Sequence, residues 1–288
     1  MSYPKLHIHD GAIVLRFEDT ERTMSVQEAL EFSSRLSSYA KEEQKKQKVK
    51  QLKEYLHALM IDIEPAVFSM GSDHGDPWEG PSHFVELTSG FSMSSILVSQ
   101  RLYKLVTEEN PSKHIGKERP LDSVSWFEAI RFCNRLSEEL GYERCYEQKE
   151  DQVIWHKDRN GFRLPTEAEW YCAARGSADT QYSGGDDLTA VSGWQSDLTH
   201  APQPQSGQPN AFGIYDMSGM CFSWCFDRLQ LFTMTRKIDP VGLSNGDARV
   251  CRGGAWNRNA WYSRLSFRCG MNPLHSFDNV GIRLVRSL

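Results

Sequence analysis

The chain begins with two short, mainly apolar runs, after which apolar residues recur at a helical spacing. Residues 6–8 and 12–17 predict two strands, joined by turn-forming residues at 9–11. Glu28 follows Ser25 by three positions, the spacing of a capping box, in which both side chains bond free backbone N–H groups at a helix start. The pattern therefore predicts a hairpin followed by a helix that runs to about residue 60.

The predicted long helix has an apolar side and a strongly charged side. Apolar residues recur at helical spacing near its end, and lysines occupy the remaining surface. The apolar set is Val49, Leu52, Leu56 and Leu59, and the lysine set is Lys45, Lys46, Lys48, Lys50 and Lys53. This pattern is typical of a helix that packs along one side and is solvated on the other.

Beyond residue 60 the apolar runs become short, and two further capping boxes predict compact helices. Ser125 with Glu128 begins a helix that ends at Gly141, a residue suited to a helix C-terminus. Thr166 with Glu169 begins a second, shorter helix. Short strands between these helices predict an α+β protein.

The elements divide the chain into two parts. Residues 1–60 form the predicted hairpin and long helix, which we expect to pack on one larger domain, residues 61–288. All eight tryptophans lie after residue 77, as expected for a single large core of about 230 residues. Residues 176–209 are rich in Gly, Ser, Asp, Gln and Pro, and we expect them to fold over that core as an ordered loop region.

Charge and composition exclude several classes of protein. The chain carries 33 Lys and Arg against 38 Asp and Glu, a formal net charge of −5. It lacks the positive excess that neutralises a phosphate backbone, so we expect no nucleic-acid partner. No apolar run approaches the roughly 18 residues of a membrane span, and residues 1–10 lack the basic-then-apolar pattern of a signal peptide. We therefore expect no membrane span in this chain.

The seven cysteines do not follow the spacing of a zinc site. Cys221 and Cys225 have three residues between them and no second pair or nearby His cluster. Cys133 and Cys172 fall on the apolar sides of predicted helices, so we interpret the cysteines mainly as small buried apolar residues. The odd count argues against a fully paired disulfide framework, although one or two bridges remain open.

A series of segments, in order along the chain, resembles the sulfatase-modifying-factor domain family. The segments are FSMGS (68–72), PSHFV (81–85), PLDSVSWFEA (120–129), GFRLPTEAEWYCAARG (161–176), NAFGIYDMSGMCFSW (210–224), RGGAW (252–256) and VGIRLV (280–285). The resemblance covers residues 60–288 and implies a C-type lectin fold of the formylglycine-generating-enzyme subtype. It also implies that the N- and C-terminal strands of the domain pair.

The reactive positions of that family are replaced in this chain. Its enzymes carry two cysteines, five positions apart after an Arg-Gly-Gly-Ser motif, that hold copper and oxidise the substrate thiol. The matching positions here are Arg258 and Ser263, neither of which provides a thiolate, and Cys269 has no partner at that spacing. In the family's calcium segment, Met220 and Ser223 stand in place of two oxygen ligands. We therefore expect no catalytic residue, no metal site and no cofactor.

Residues 256–279, between the RGG and VGIRLV motifs, resemble the variable region of proteins diversified by a retroelement. In such proteins, adenine-directed mutagenesis randomises scattered positions while a fixed frame holds the backbone. The resemblance implies a hypervariable ligand-binding surface made of Arg258, Trp261, Tyr262, Phe267, Cys269, Gly270, Met271, Asn272, Leu274, His275, Phe277 and Asp278.

Aromatic residues, Met and Arg supply much of the contact energy at recognition sites, so we expect most of this set to be exposed. The alternative is that Trp261, Tyr262 and Phe267 are buried core aromatics. Alternation along a strand places Phe267 on the same side as Leu265, which favours burial of that residue. The tryptophans within the family motifs are expected in the core, namely Trp126, Trp170, Trp224 and Trp256.

The sequence therefore predicts a monomeric, non-catalytic protein that binds an unidentified macromolecule, expected to be a protein, through a hypervariable C-terminal surface. The resemblance also implies display at the cell surface, with a lipid anchor attached through a signal segment that has been removed. The alternative is an enzyme, either a divergent formylglycine-generating-type oxidase or an iron-dependent sulfoxide synthase, although residues 1–60 lack the HxxxHxE helix of the latter. A third interpretation is an assembly role for the Lys-rich helix.

Overall fold

The structure of the protein is a computed structural model that describes residues 5–9, 12–17, 20–242 and 246–288, with side chains described from residue 24 onward. The chain forms two compact units, Met1–Gln51 and Leu52–Leu288. The boundary lies inside the long helix, because Leu52 and Leu56 near its end are buried and belong to the second unit.

The first unit contains a three-stranded antiparallel sheet and most of the long helix. The strands are β1 (Lys5–His9), β2 (Ala12–Phe17) and β3 (Thr20–Met24), and the helix is α1 (Val26–Leu59). β2 pairs with both other strands, so the predicted hairpin continues into a third strand that its polar sequence did not indicate. The capping box is present, since Ser25 donates its backbone N–H to the Glu28 carboxylate at 2.8 Å.

The second unit, here called the main domain, consists of short strands and short helices. Its strands are β4 (Met60–Ile63), β5 (Ala66–Met70), β6 (His83–Leu87), β7 (Phe91–Ser94), β8 (Tyr146–Lys149), β9 (Gln152–Trp155), β10 (Phe162–Arg163), β11 (Phe222–Arg228), β12 (Lys237–Ile238), β13 (Arg249–Arg252), β14 (Arg268–Met271), β15 (Val280–Gly281) and β16 (Val285–Ser287). Its helices are α2 (Gln100–Thr107), α3 (Trp126–Leu140), α4 (Glu167–Arg175), α5 (Leu188–Ser192) and the 3-10 turn Ala260–Ser263.

Both helices predicted from capping boxes in this domain are confirmed. The Ser125 hydroxyl accepts the backbone N–H of Glu128, and α3 ends at Gly141 with a left-handed φ of 80°. Thr166 and Glu169 bond each other's backbone in the same way at the start of α4. The ordered loop region predicted for residues 176–209 contains the additional helix α5.

The last strands of the chain join two different sheets. β15 pairs in parallel with β11, whereas β16 pairs with β10 and β7 in the sheet β10-β16-β7-β4. The predicted closing strand at residues 280–285 is therefore divided into two short strands. β7 lies between β16 and β4, so the first and last strands of the domain share a sheet without pairing directly.

The central sheet has the order β14-β13-β11-β15, and the side chains of β11 and β13 are almost entirely buried. Trp126, Trp170 and Trp224 have no exposed surface and Trp256 has 7%, which confirms the predicted core tryptophans. Six of the seven cysteines are buried and Cys269 is partly buried. Among the described residues, no helix combines the length and apolar content needed to cross a bilayer.

Candidate ligand-binding surface

Residues 256–279, which are predicted to be variable and are here called the variable segment, begin after a turn that favours glycine. Gly253 and Gly254 follow β13 with φ values of 101° and 68°, a region that favours glycine. A Cβ on Gly254 would lie 2.4 Å from Ser263 Oγ and 2.7 Å from Ser263 Cα. The glycines therefore allow the 3-10 turn of the segment to pack directly against the end of the central sheet.

One buried carboxylate binds two arginines, Arg252 just before the segment and Arg268 within it. Arg252 and Arg268 donate their Nε–H groups to Glu167 Oε1 at 2.8 and 2.7 Å, and all three side chains are buried. Burial disfavours the charged form of Glu167, but the two guanidinium groups outweigh burial and hold its pKa below its usual range. Such charge-assisted bonds in a low dielectric make a rigid support.

The same arginines bond main-chain atoms of the segment and of its neighbours. Arg252 donates to the carbonyls of Leu265, Ser266 and Phe267 at 3.0–3.1 Å. Arg268 donates to the carbonyl of Trp78 at 3.2 Å. Because Arg252 lies outside the segment and bonds its carbonyl groups, this contact does not depend on which side chains the segment displays. Arg268, in contrast, is a side chain of the segment itself.

A second buried pair joins the segment to the loop at residues 71–81. Arg264 donates to both oxygens of Glu79 at 2.6 and 3.1 Å, with Arg264 8% exposed and Glu79 fully buried. The Arg264 guanidinium also stacks on the Trp261 ring at 3.5 Å, and the Trp261 indole N–H donates to Asp76 Oδ2 at 3.3 Å. Trp261 therefore has a defined orientation although its outer surface faces solvent.

Most of the predicted variable residues are at the surface. Trp261 is 46% exposed, Tyr262 38% and Leu274 64%, in contrast to 7% for Trp256. The exposed members are Arg258, Trp261, Tyr262, Asn272, Leu274 and His275, and the partly exposed members are Cys269, Gly270, Met271, Phe277 and Asp278.

Phe267 is the one member of the set that is not displayed. It is 7% exposed, and the Tyr262 ring contacts it edge-on with 4.9 Å between ring centroids. Its assignment to the displayed surface is wrong, because Phe267 lies directly before β14 and packs against the rings of Tyr262 and Phe222.

The structure adds surface residues that the sequence reasoning missed. Trp78, in the loop at residues 71–81, is 46% exposed, and the same loop contacts Trp261 through Asp76. Lys113 lies 2.6 Å from Asp278. The signal for Trp78 was a large aromatic between turn-forming Pro and Gly residues, but its proximity to residue 261 comes only from the fold.

The residues at the family's reactive positions do not fit the metals that the family implies. Arg258 is exposed and Ser263 is fully buried, so the two do not form a shared ligand pair. Met220 is fully buried among Leu97, Cys221 and Trp256 in an apolar cluster that provides no oxygen ligands. Among the described residues, no group of three or more His, Cys, Asp or Glu side chains is placed to hold a metal ion.

The thiols lack the chemistry of reactive cysteines. Burial raises the pKa of Cys269 to about 12, and burial also raises the pKa of Cys251, which faces it across β13 and β14, well above its usual range. Catalytic cysteines need the opposite, a pKa lowered towards neutrality. The arrangement therefore suits contact with a ligand through exposed side chains better than thiol chemistry.

The short helices around a split, mostly antiparallel core define a C-type lectin-like fold of the formylglycine-generating-enzyme type. The family model for the sulfatase-modifying factor enzyme 1-like domain matches residues 44–288, and the chain belongs to that family.

The chain is similar in structure to Treponema denticola variable protein 1, with a TM-score of 0.74 and 27% identity, covering 80% of this chain and 95% of that one. Among sequence relatives, the chaperone protein LppX of Paenibacillus barcinonensis is 27% identical, over 69% of this chain and 81% of that protein.

A relative named as an enzyme and a relative named as an inactive enzyme also match. The formylglycine-generating enzyme of Streptomyces coelicolor is 33% identical, over 43% of this chain and 46% of its own length. The inactive C-alpha-formylglycine-generating enzyme 2 of Mus musculus is 32% identical, over 59% of this chain and 50% of its own length. The chain thus spans about half the length of these two relatives.

Proposed function

We propose that this chain is a non-catalytic binding protein that recognises a macromolecular ligand, a protein, through a variable segment diversified by a retroelement. The main support for the proposal is the contrast, within residues 256–279, between exposed side chains and a backbone that buried side chains hold in place. Trp261, Tyr262, Leu274 and His275 project into solvent, while buried arginines hold the backbone beneath them.

The contacts that position the segment support exchange of its side chains. The carbonyl groups of Pro273 and Phe277 accept the backbone N–H groups of Trp126 and Ser123 at 3.2 and 2.9 Å. These bonds, like those from Arg252, are made to main-chain atoms and persist when side chains change. Stability then resides in the frame, as it does for binding loops on a rigid scaffold.

The composition of the surface favours a protein ligand. Trp78, Trp261 and Tyr262 present large aromatic faces at low cost in side-chain entropy, and Arg258 and His275 add polar groups. Exposed aromatic residues and Arg are enriched where proteins bind proteins.

The structural likeness to a variable protein and the raised thiol pKa values support a role without catalysis. We test this by measuring metal content and oxygen-dependent oxidation of a cysteine-containing peptide. We expect no oxidation of the peptide by the protein. Stoichiometric copper or iron, with turnover abolished by Cys269→Ser or Cys251→Ser, would establish an enzyme instead.

Two display libraries of equal size test the binding surface. The first randomises five exposed positions of the segment, Arg258, Trp261, Tyr262, Leu274 and His275. The control library randomises five exposed positions at the hairpin of β8 and β9, Glu147, Gln148, Lys149, Glu150 and Asp151. Both are selected against immobilised hen lysozyme.

We expect folded clones from both libraries but specific lysozyme binders only from the first. Unfolding of most first-library clones, or equal recovery of binders from both, would contradict the proposal. The genomic DNA tests diversification separately, because a retroelement requires a near-copy of the codons for residues 256–285 that differs only at adenines, beside a reverse transcriptase gene.

We further propose that the chain acts as a monomer displayed at the cell surface. Proteinase K treatment of intact cells that express the native gene tests display, since a surface protein is cleaved without lysis. Light scattering of the purified chain tests the monomer. Protection until lysis, or a dimer mass, would refute the respective statement.

A further inference from the structure

A cavity of about 580 Å³ lies on the main domain between the β8–β9 hairpin and the start of β13. Its size is within the range of small-molecule sites. None of the predicted variable residues lines it, so it is independent of the surface described above.

The charged side chains that line the cavity are all positive. Lys157, Arg228 and Arg249 line it, and no Asp or Glu is among its described lining residues. Three cations around an empty volume attract an anion, and the attraction is strengthened where the walls exclude water.

Arg249 is a buried cation without a carboxylate partner among the described residues. It is 5% exposed, its guanidinium stacks 3.6 Å from the centre of the Trp126 ring, and one Nη–H donates to the carbonyl of Phe226 at 2.5 Å. Within the part of the chain that the structure describes, its Nε–H has no hydrogen-bond partner. Burial, and after it in size the positive charge of Arg228, lowers the pKa of Arg249 to about 9. A buried guanidinium costs free energy unless its charge is compensated.

Arg228 is placed opposite Arg249 across the antiparallel strands β11 and β13, next to an irregularity in the register. Like charges directly opposite each other destabilise a sheet. Arg228 also donates to the carbonyl of Gly246, which orients it beside the cavity. A bound anion would relieve the repulsion between the two arginines.

The cavity is also lined by aromatic and apolar side chains. Trp155 and Phe226 meet edge-to-face, with 5.1 Å between ring centroids, and Val153 and Val241 extend the apolar wall. Lys157 lies 5.4 Å from the centre of the Trp155 ring. A flat apolar group fits such a wall.

We propose that this cavity is a ligand site for a small aromatic oxyanion, whose carboxylate or phosphate group binds Arg228 and Arg249 and whose ring packs on Trp155 and Phe226. Guanidinium groups match the geometry of both oxyanions. The site is distinct from the variable surface and binds its ligand whatever the segment at residues 256–279 carries.

Fluorine NMR of the full chain with defined probes tests the site. The probes are 4-fluorobenzoate, 4-fluorophenyl phosphate and the uncharged 4-fluorobenzamide. Arg228→Gln and Lys157→Gln remove one charge each from partly or fully exposed side chains. Arg144→Gln is the matched control, because Arg144 pairs with Glu138 at the surface outside the cavity.

We expect the two anions, but not the amide, to bind the wild-type protein. The anion that binds more tightly shows whether the site prefers a carboxylate or a phosphate. Arg228→Gln should weaken binding by about tenfold or more, as expected for a lost charge-assisted bond, whereas Arg144→Gln should leave it unchanged. The proposal is overturned if the amide binds as tightly as the anions, if no anion binds, or if Arg228→Gln and Arg144→Gln behave alike.

Discussion

The buried pair of Glu79 and Arg264 connects the loop at residues 71–81 to the variable segment, and Glu79→Gln should be strongly destabilising. Glu79 is fully buried and accepts two bonds from Arg264, at 2.6 and 3.1 Å. Glutamine keeps the shape of the side chain but places an amide NH₂ against the guanidinium, so Arg264 keeps its charge without a counter-charge.

The expected magnitude follows from the burial of both partners. Removing one member of a buried pair costs about 3–5 kcal/mol, because the other charge is left uncompensated. For a domain of this size, about 1 kcal/mol corresponds to roughly 2–4 °C in melting temperature. Glu79→Gln should therefore lower the melting temperature by about 6–20 °C.

A double-mutant cycle with Arg264→Met, measured by urea and thermal unfolding, isolates the pair. Removing both charges should recover much of the loss, because a buried pair replaced as a whole is often nearly neutral. Glu138→Gln is the matched control. It breaks a pair with Arg144 whose side chains are 46% and 59% exposed, and it should cost less than about 1 kcal/mol.

A stabilising Glu79–Arg264 pair is refuted if Glu79→Gln melts as close to wild type as Glu138→Gln does. It is refuted equally if the double variant loses the sum of the two single losses, since additivity would mean that the two side chains do not interact.

Three further predictions follow from individual contacts. Gly254→Ala should lower the free energy of unfolding, measured in urea, by about 3 kcal/mol or more, because the new Cβ clashes with Ser263 and the φ is positive. Gly213→Ala is the control: its φ is also positive, but a Cβ there meets no atom within 4 Å, so it should cost only about 1–2 kcal/mol. Burial and the charge of Glu167 raise the pKa of Asp227 to about 7, so the folded carboxyl holds a proton that the unfolded one has lost. Stability should fall by up to about 4 kcal/mol between pH 4 and 7, and equal slopes for wild type and Asp227→Asn would contradict this. All seven cysteines should react with Ellman's reagent at pH 8 only after unfolding, because burial raises every thiol pKa; one fast thiol in the folded protein would disprove it.

Local signals in the sequence were sufficient for α1, α3 and α4, but they did not indicate α2 or α5. The capping boxes at Ser125 and Thr166 are confirmed because each is made by residues three positions apart. The difference between Trp256, which is buried, and Trp261, which is exposed, was also predicted from the motif pattern. Such features depend on neighbours along the chain or on an ordered series of motifs.

Strand partners were not available from the same signals. Residues 280–285 read as one apolar strand, but they divide between two sheets because β11 and β7, the partners of β15 and β16, lie far away in the sequence. Hydrophobic alternation indicates which face of a strand is buried, but it does not indicate which strand pairs with it.

The pairing and burial of charged residues were likewise not predictable from the sequence. In the sequence, Glu79, Glu167, Arg249 and Arg264 are indistinguishable from the many charged residues of a solvated surface. The fold alone decided that three of them form buried ion pairs beneath the variable segment and that Arg249 lies without a carboxylate beside a cavity. The physical reason is that pairing and desolvation depend on distances between residues up to 185 positions apart. The ordered motifs indicated the family, and local spacing predicted α1, α3 and α4. Tertiary structure decided what supports residues 256–279 and where their side chains reach solvent, because both depend on contacts between distant parts of the chain.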